Sequence, residues 1–124
     1  MIQIENPTLI AGLSGDLSAS FNSNPMFVGD RTAYAIQAVW TGSGALGTFK
    51  LQVSNDPTQP QGQAGASQVT HWSDYTDSAL AVTGAGDHMF DIWATEVEWV
   101  RLVWTPASTA STGTLTVCNL NGKG

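Results

Sequence analysis

The chain has 124 residues, room for one hydrophobic core and not two. Hydrophobic residues make up 42% and charged residues 11%, with four Lys and Arg against ten Asp and Glu for a net charge of −6. This balance excludes wholesale disorder and the phosphate-backbone and anionic-membrane partners that need clustered cations, and it leaves a surface built of Ser, Thr, Asn, Gln and Gly.

The N-terminus, Met1 to Pro7, has no basic region followed by an apolar one, so it does not read as a signal peptide. No apolar run approaches the roughly 18 to 20 residues of a membrane-spanning helix. Synthesis in a cytoplasm is the expectation. Residues 1–8 read as an extended arm able to pair with the sheet edge of another subunit. The whole of 1–124 reads as a single domain.

Beyond the arm the apolar period is 2, not 3.6. Leu17-Ser18-Ala19-Ser20-Phe21 alternates, and so does Thr48 to Val53, with Phe49, Leu51 and Val53 on one face. Val100, Leu102 and Trp104 share a face, as Leu115 and Val117 are expected to do. Strands are predicted near 8–13, 17–21, 26–29, 33–41, 47–54, 79–83, 87–92, 98–105 and 113–120, with one of these nine irregular. A helical turn capped by Asp91 is the reading of residues 92–96. Gly, Pro, Ser and Asn clusters punctuate the strands, at Asn22 to Pro25, Gly42-Ser43-Gly44, Gly84-Ala85-Gly86 and Thr105 to Ser108. The fold class that follows is all-β: an antiparallel, jelly-roll-like β-sandwich of about eight strands, with its five tryptophans between the layers.

Two segments echo each other. Val39-Trp40-Thr41-Gly42 leads through a turn to Gly47-Thr48-Phe49, and Val103-Trp104-Thr105-Pro106 leads to Gly113-Thr114-Leu115. They read as two hairpins, one per half of the sandwich. The longest irregular stretch, Asp56 to Thr70, is rich in Gln, Gly, Pro and Ala. Its length leaves open a contact loop or a surface excursion.

No catalytic motif stands out. His71 and His88 have no metal spacing, no G-x-S-x-G turn accompanies the abundant serines, and the Gly-rich turns lack the Lys-Ser/Thr of a phosphate loop. Asp74, Asp77, Asp87 and Asp91 cluster in sequence, but their spacing matches no calcium loop. No cofactor is expected. The lone Cys118 reads as a small strand side chain. The aromatics are stronger candidates. Trp72 beside His71, Asp74 and Tyr75, with Trp93 at a later turn, has the composition of a glycan or partner contact patch. Such a patch stacks a ring and hydrogen-bonds hydroxyls.

The order of pieces from Ile36 to Leu120 carries a resemblance. Leu51-Gln52-Val53-Ser54-Asn55-Asp56, then Trp72-Ser73-Asp74, then Val82-Thr83-Gly84-Ala85-Gly86, then Trp99 to Thr105 and a terminal Gly-Thr-Leu hairpin, is similar to small β-rich virion proteins of tailed bacteriophages. The Ser-Asn-Asp–Trp fragment also resembles discoidin-type binding domains, which differ in their paired cysteines and greater length. The phage resemblance implies a non-catalytic head-decoration or capsid auxiliary protein. It implies virion localisation, and the major capsid protein or other virion proteins as partners. A homo-oligomer is expected, with a trimer favoured by the three-fold sites of capsids. The alternative expectation is a carbohydrate-binding module or adhesin that holds a surface glycan through Trp72, Tyr75 and Trp93.

Overall fold

The computed structural model describes residues 2–5, 15–29, 33–56, 69–92 and 96–123. Its strands are β1 (Ile2–Glu5), β2 (Phe21–Asn22), β3 (Met26–Phe27), β4 (Ala33–Thr41), β5 (Leu46–Ser54), β6 (Ser73–Asp74), β7 (Leu80–Thr83), β8 (Gly86–Ile92), β9 (Trp99–Pro106) and β10 (Thr114–Lys123). All pairings are antiparallel. The first sheet runs β1-β10-β4-β8; the second runs β2-β9-β5-β6, with β3 also on β9 and β7 also on β5.

The short strands work in pairs. β2 and β3 share one edge of β9, and β6 and β7 share one edge of β5. Counting each pair as one position, consecutive strands change sheet at every step except from β5 to β6. That connectivity makes the sandwich a jelly roll. The strand predicted at 8–13 lies outside the described residues. The one predicted at 17–21 narrows to Phe21–Asn22, preceded by a bridge from Asp16 to Thr114. Ile92 ends β8, so the expected helical turn does not begin there, and residues 93–95 lie outside the described set.

Alternation decides what is buried. Tyr34, Ile36, Ala38 and Trp40 point inward from β4; Phe49 and Leu51 from β5; Val100, Leu102 and Trp104 from β9. Each fully buried large aliphatic or phenyl side chain contributes about 1.5–3 kcal/mol over leaving it in water. At the centre, Phe49 lies between Trp40 and Trp104, with ring centroids 5.0 and 4.6 Å away. Strand β10 breaks the pattern. A bulge between Leu115 and Val117 inserts Thr116, whose hydroxyl donates to the Val39 carbonyl. The inserted residue shifts the parity, so Leu115 and Cys118 are buried while Val117 faces outward beside Val39. Leu115 and Val117 therefore do not share a face as the sequence suggests.

The two echoing segments are not hairpins. β4 does not pair with β5, nor β9 with β10; each segment is a corner that crosses between sheets. The corners lie side by side, because β4 pairs with β10 and β5 with β9. The tryptophans also divide. Trp40 and Trp104 lie between the sheets, whereas Trp99 and Trp72 pack with Val69 and Phe27 in a second cluster on the outside of the second sheet. Every described indole N–H is satisfied: Trp40 donates to Gly84 O, Trp72 to Val69 O, Trp99 to Asp56 O and Trp104 to Leu17 O.

β1 pairs with β10 of its own chain, from Ile2 opposite Lys123 to Glu5 opposite Leu120. Part of the segment expected to act as an arm thus forms an edge of the domain's own first sheet.

Candidate functional site

The second sheet presents an outer face built by alternation on three strands. Lys50 and Gln52 project from β5, Arg101 stands opposite Gln52 on β9, and Asp74 stands opposite Gln52 on β6. The guanidinium of Arg101 donates to Gln52 Oε1 from Nε at 2.9 Å and from Nη2 at 2.6 Å. Gln52 Nε2 donates to Asp74 Oδ1 at 2.9 Å, and Lys50 Nζ donates to Asp74 Oδ2 at 3.1 Å. Trp72 completes the strip, with the Arg101 guanidinium 4.2 Å from its ring centre. The Gln52 amide links Arg101 to Asp74, and Lys50 binds the same carboxylate directly. The Gln52 and Lys50 hydrogen bonds hold the Asp74 carboxyl below its ordinary range. The ion pair is exposed and screened by solvent, so it adds little to stability.

The expected contact residues are only partly brought together. Trp72 and Asp74 share this face. Tyr75 is one residue out of phase and turns inward, packing against the core, with its N–H donating to the Leu51 carbonyl at 2.9 Å. Tyr75 also lies close enough to the buried Tyr34 hydroxyl to help raise that phenol's pKa, after the larger effect of burial. Trp93 lies outside the described residues. Trp72 is half-buried, one ring face is covered by Arg101, and its N–H is taken by Val69. An indole covered in this way is a poor stacking platform for a sugar ring.

Asp56 binds the described residues Thr70 and His71. Its Oδ2 accepts the amides of Thr70 at 2.7 Å and His71 at 3.1 Å, and its Oδ1 lies 3.0 Å from His71 Nδ1. These amides hold the carboxyl below its ordinary value, with Thr70 the largest contributor. Val69, buried against Trp99, anchors the returning chain. A folded-state pKa below the unfolded one means that Asp56 stabilises the fold above the unfolded value of 3.8 and loses this as pH falls through the folded value. The Asp56→Asn variant is therefore expected to be less stable than the parent at about pH 7, with the gap closing towards about pH 2. Urea titrations of both proteins across that range measure it. A gap that stays constant with pH would show the carboxylate to be irrelevant.

The other carboxylates are scattered. Asp87 and Asp91 lie on the outer side of β8, and Asp77 sits in the β6–β7 turn with φ of 62°. Among the described residues no group of three His, Cys, Asp or Glu side chains is placed to hold a metal ion. Cys118 is buried in the core, which pushes its thiol up to about 12. Among the described residues no helix is long and apolar enough to cross a membrane. The strip members that sequence reasoning passed over, Lys50, Gln52 and Arg101, had a signal. They are the polar beats of strands whose apolar beats were recognised.

The fold and its outer faces define a jelly-roll β-sandwich with a self-satisfied polar strip on one side. A scan against protein-family models and a search of the curated proteins each give no match.

Proposed function

We propose that the chain is a non-catalytic structural protein of a tailed-phage virion, a head decoration or capsid auxiliary protein that binds the outer capsid surface and stabilises the particle. The observation that carries this reading is the outer face of the first sheet. Ala35, Gln37 and Val39 of β4, Met89 of β8 and Val117 and Asn119 of β10 form a weakly polar surface whose only described charges are Asp87 and Asp91 at its rim. Such a face can lie against a protein neighbour with little desolvation cost. The polar strip on the opposite sheet supports the same reading, because its groups already partner one another and Trp72 is covered. The partners are the major capsid protein or other virion proteins, and the protein acts as a homo-oligomer, with a trimer favoured.

The test is proteomic analysis and immunogold labelling of purified particles from a culture that produces this protein. Stoichiometric recovery on heads is expected. Recovery only in the particle-free lysate would overturn the reading. Light scattering on the purified protein should give a mass above that of one chain; a single-chain mass at all concentrations would remove the oligomer.

A further inference from the structure

Strand β8 ends the first sheet on the side away from β1. Among the described residues, β8 pairs with β4 on one side and with no strand on the other. The remaining described edges are short or broken: β1 has four residues, β2 and β3 are separated by Ser23 to Pro25, and β6 and β7 by Tyr75 to Ala79. The seven residues Gly86–Ile92 are thus the longest uninterrupted run of unpaired edge among the described residues.

Its side chains form two rows. Asp87, Met89 and Asp91 point outward, with Met89 48% exposed. His88 and Phe90 point inward, ring against ring at 4.6 Å, over a cleft of about 280 Å³ between β8 and the β6–β7 edge. The cleft is lined by apolar side chains of Leu51, Tyr75 and Leu80 and by the polar Asp77, Ser78 and Asp91. No described cation lines it.

We propose that β8 accepts an extended segment of another protein as an added strand, and that this segment alternates apolar residues facing the cleft with basic residues facing Asp87 and Asp91. The inference rests on the reading of the chain as an assembly protein and names the kind of partner it takes. Strand addition draws affinity from main-chain hydrogen bonds and specificity from alternate side-chain positions. Here the outward positions select Lys or Arg opposite each carboxylate and an apolar residue opposite Met89, at every second residue. The inward positions select side chains that fill the cleft.

A second copy does not fit this site. The edge strands β1, β2, β3, β6, β7 and β8 contain no Lys or Arg. The segments 6–14 and 57–68 contain none either, and 30–32 carries a single one, Arg31 next to Asp30, where the site asks for two. β8 laid antiparallel on β8 about Met89 would set Asp87 against Asp91 twice, a like-charge pairing that destabilises a sheet. The same carboxylates therefore keep copies from pairing through β8, leaving other faces for the homo-oligomer, and admit a basic strand.

The experiment uses fluorescein-labelled peptides and the full chain, read by anisotropy. The probe Ser-Lys-Leu-Val-Leu-Lys-Ser places two lysines and a valine on one side and two leucines on the other. Saturable binding is expected, weakened at least about tenfold by exchanging both lysines for glutamate, by the double variant Asp87→Lys with Asp91→Lys, or by raising salt. Backbone N-methylation of alternate peptide residues, tried in both registers, should abolish binding in one register only. Equal binding by the lysine and glutamate peptides, or by the parent and the double variant, would overturn the proposal, as would indifference to N-methylation. Asp87 and Asp91 are exposed, so a melting curve confirms that the variant is folded. If the double variant still decorates particles as the parent does, the strand-addition site is wrong and the virion reading stands. If the parent is absent from particles, the virion reading fails whatever the peptides do.

Discussion

Replacing Trp104 by alanine is expected to lower stability by about 3–5 kcal/mol, a large part of the roughly 5–15 kcal/mol that holds a domain of this size folded. Trp104 is fully buried on the inner face of β9, opposite Phe49 on β5, with ring centroids 4.6 Å apart. Alanine leaves a cavity where the two sheets meet and removes the ring on which Phe49 packs. It also strands the Leu17 carbonyl, which accepts the indole N–H at 3.0 Å. Leu17 is itself fully buried, so water does not readily replace that donor. The Trp104→Phe variant separates the two effects. It keeps most of the packing and loses the hydrogen bond, for an expected cost of about 1–3 kcal/mol. Trp72→Ala removes a half-buried ring on the outer face and should cost less than Trp104→Ala. Urea midpoints at unchanged slope measure all three. A Trp104→Ala loss under about 1 kcal/mol would mean that the central aromatic stack does not hold the sandwich together.

That contrast between tryptophans marks where sequence reasoning stops. Alternation located β4, β5, β7, β8 and β9 to within a residue or two, because a half-buried strand writes its burial every second position. Alternation says which residues share a face but not which face is inside. Val100, Leu102 and Trp104 point between the sheets while Trp99 and Arg101 point out, and Trp99 is as apolar as Trp104, so Arg101 alone marks the outer face. The outer set is covered locally by Val69, Trp72 and Phe27. The two-residue strands β2, β3 and β6 are too short to have a period. They exist because the long β9 and β5 offer free edges, and that is a property of the assembled sheet. The bulge at Thr116 is invisible for a related reason: it is fixed by the register of β10 on β4, not by β10 alone.

The candidate site was legible to a similar depth. Trp72 and Asp74 are two apart and share a face, as the period requires. Tyr75 is three from Trp72; composition groups the two, whereas the period of 2 sends Tyr75 to the other side. The partners that define the strip, Gln52 and Arg101, come from strands 20 and more residues away in sequence. Only the pairing of β5 with both β6 and β9 brings them together. The repeated Val-Trp-Thr and Gly-Thr segments show the same division. Their likeness was readable, and it reflects equivalent positions in two corners. That they cross between sheets rather than fold back was decided by which strands offered free edges.

Those corners set up the second large effect. Gly113→Ala is expected to cost more than about 3 kcal/mol, from backbone strain and steric overlap together. Gly113 has φ of 112°, in a region that L side chains rarely adopt. A Cβ built there would collide with the Thr41 carbonyl oxygen and crowd Gly42, which itself has φ of 110°. Neither neighbour is a flexible side-chain end; both are backbone held by the pairing of Thr114 with Thr41. Relief therefore requires the β4 and β10 corners to move apart, which disturbs the Leu17 amide donating to Gly113 O at 3.0 Å. Gly84→Ala supplies the control. Its φ of 98° carries the same kind of strain, but an added Cβ would meet only the Ser43 carbonyl at 3.8 Å, an ordinary contact. Its expected cost is the strain alone, about 1–3 kcal/mol. The difference between the two variants, read from urea midpoints, isolates the close approach of the corners. Equal losses would mean that the corners are not packed against each other through glycine, and that the echo in the sequence has no structural counterpart at this contact.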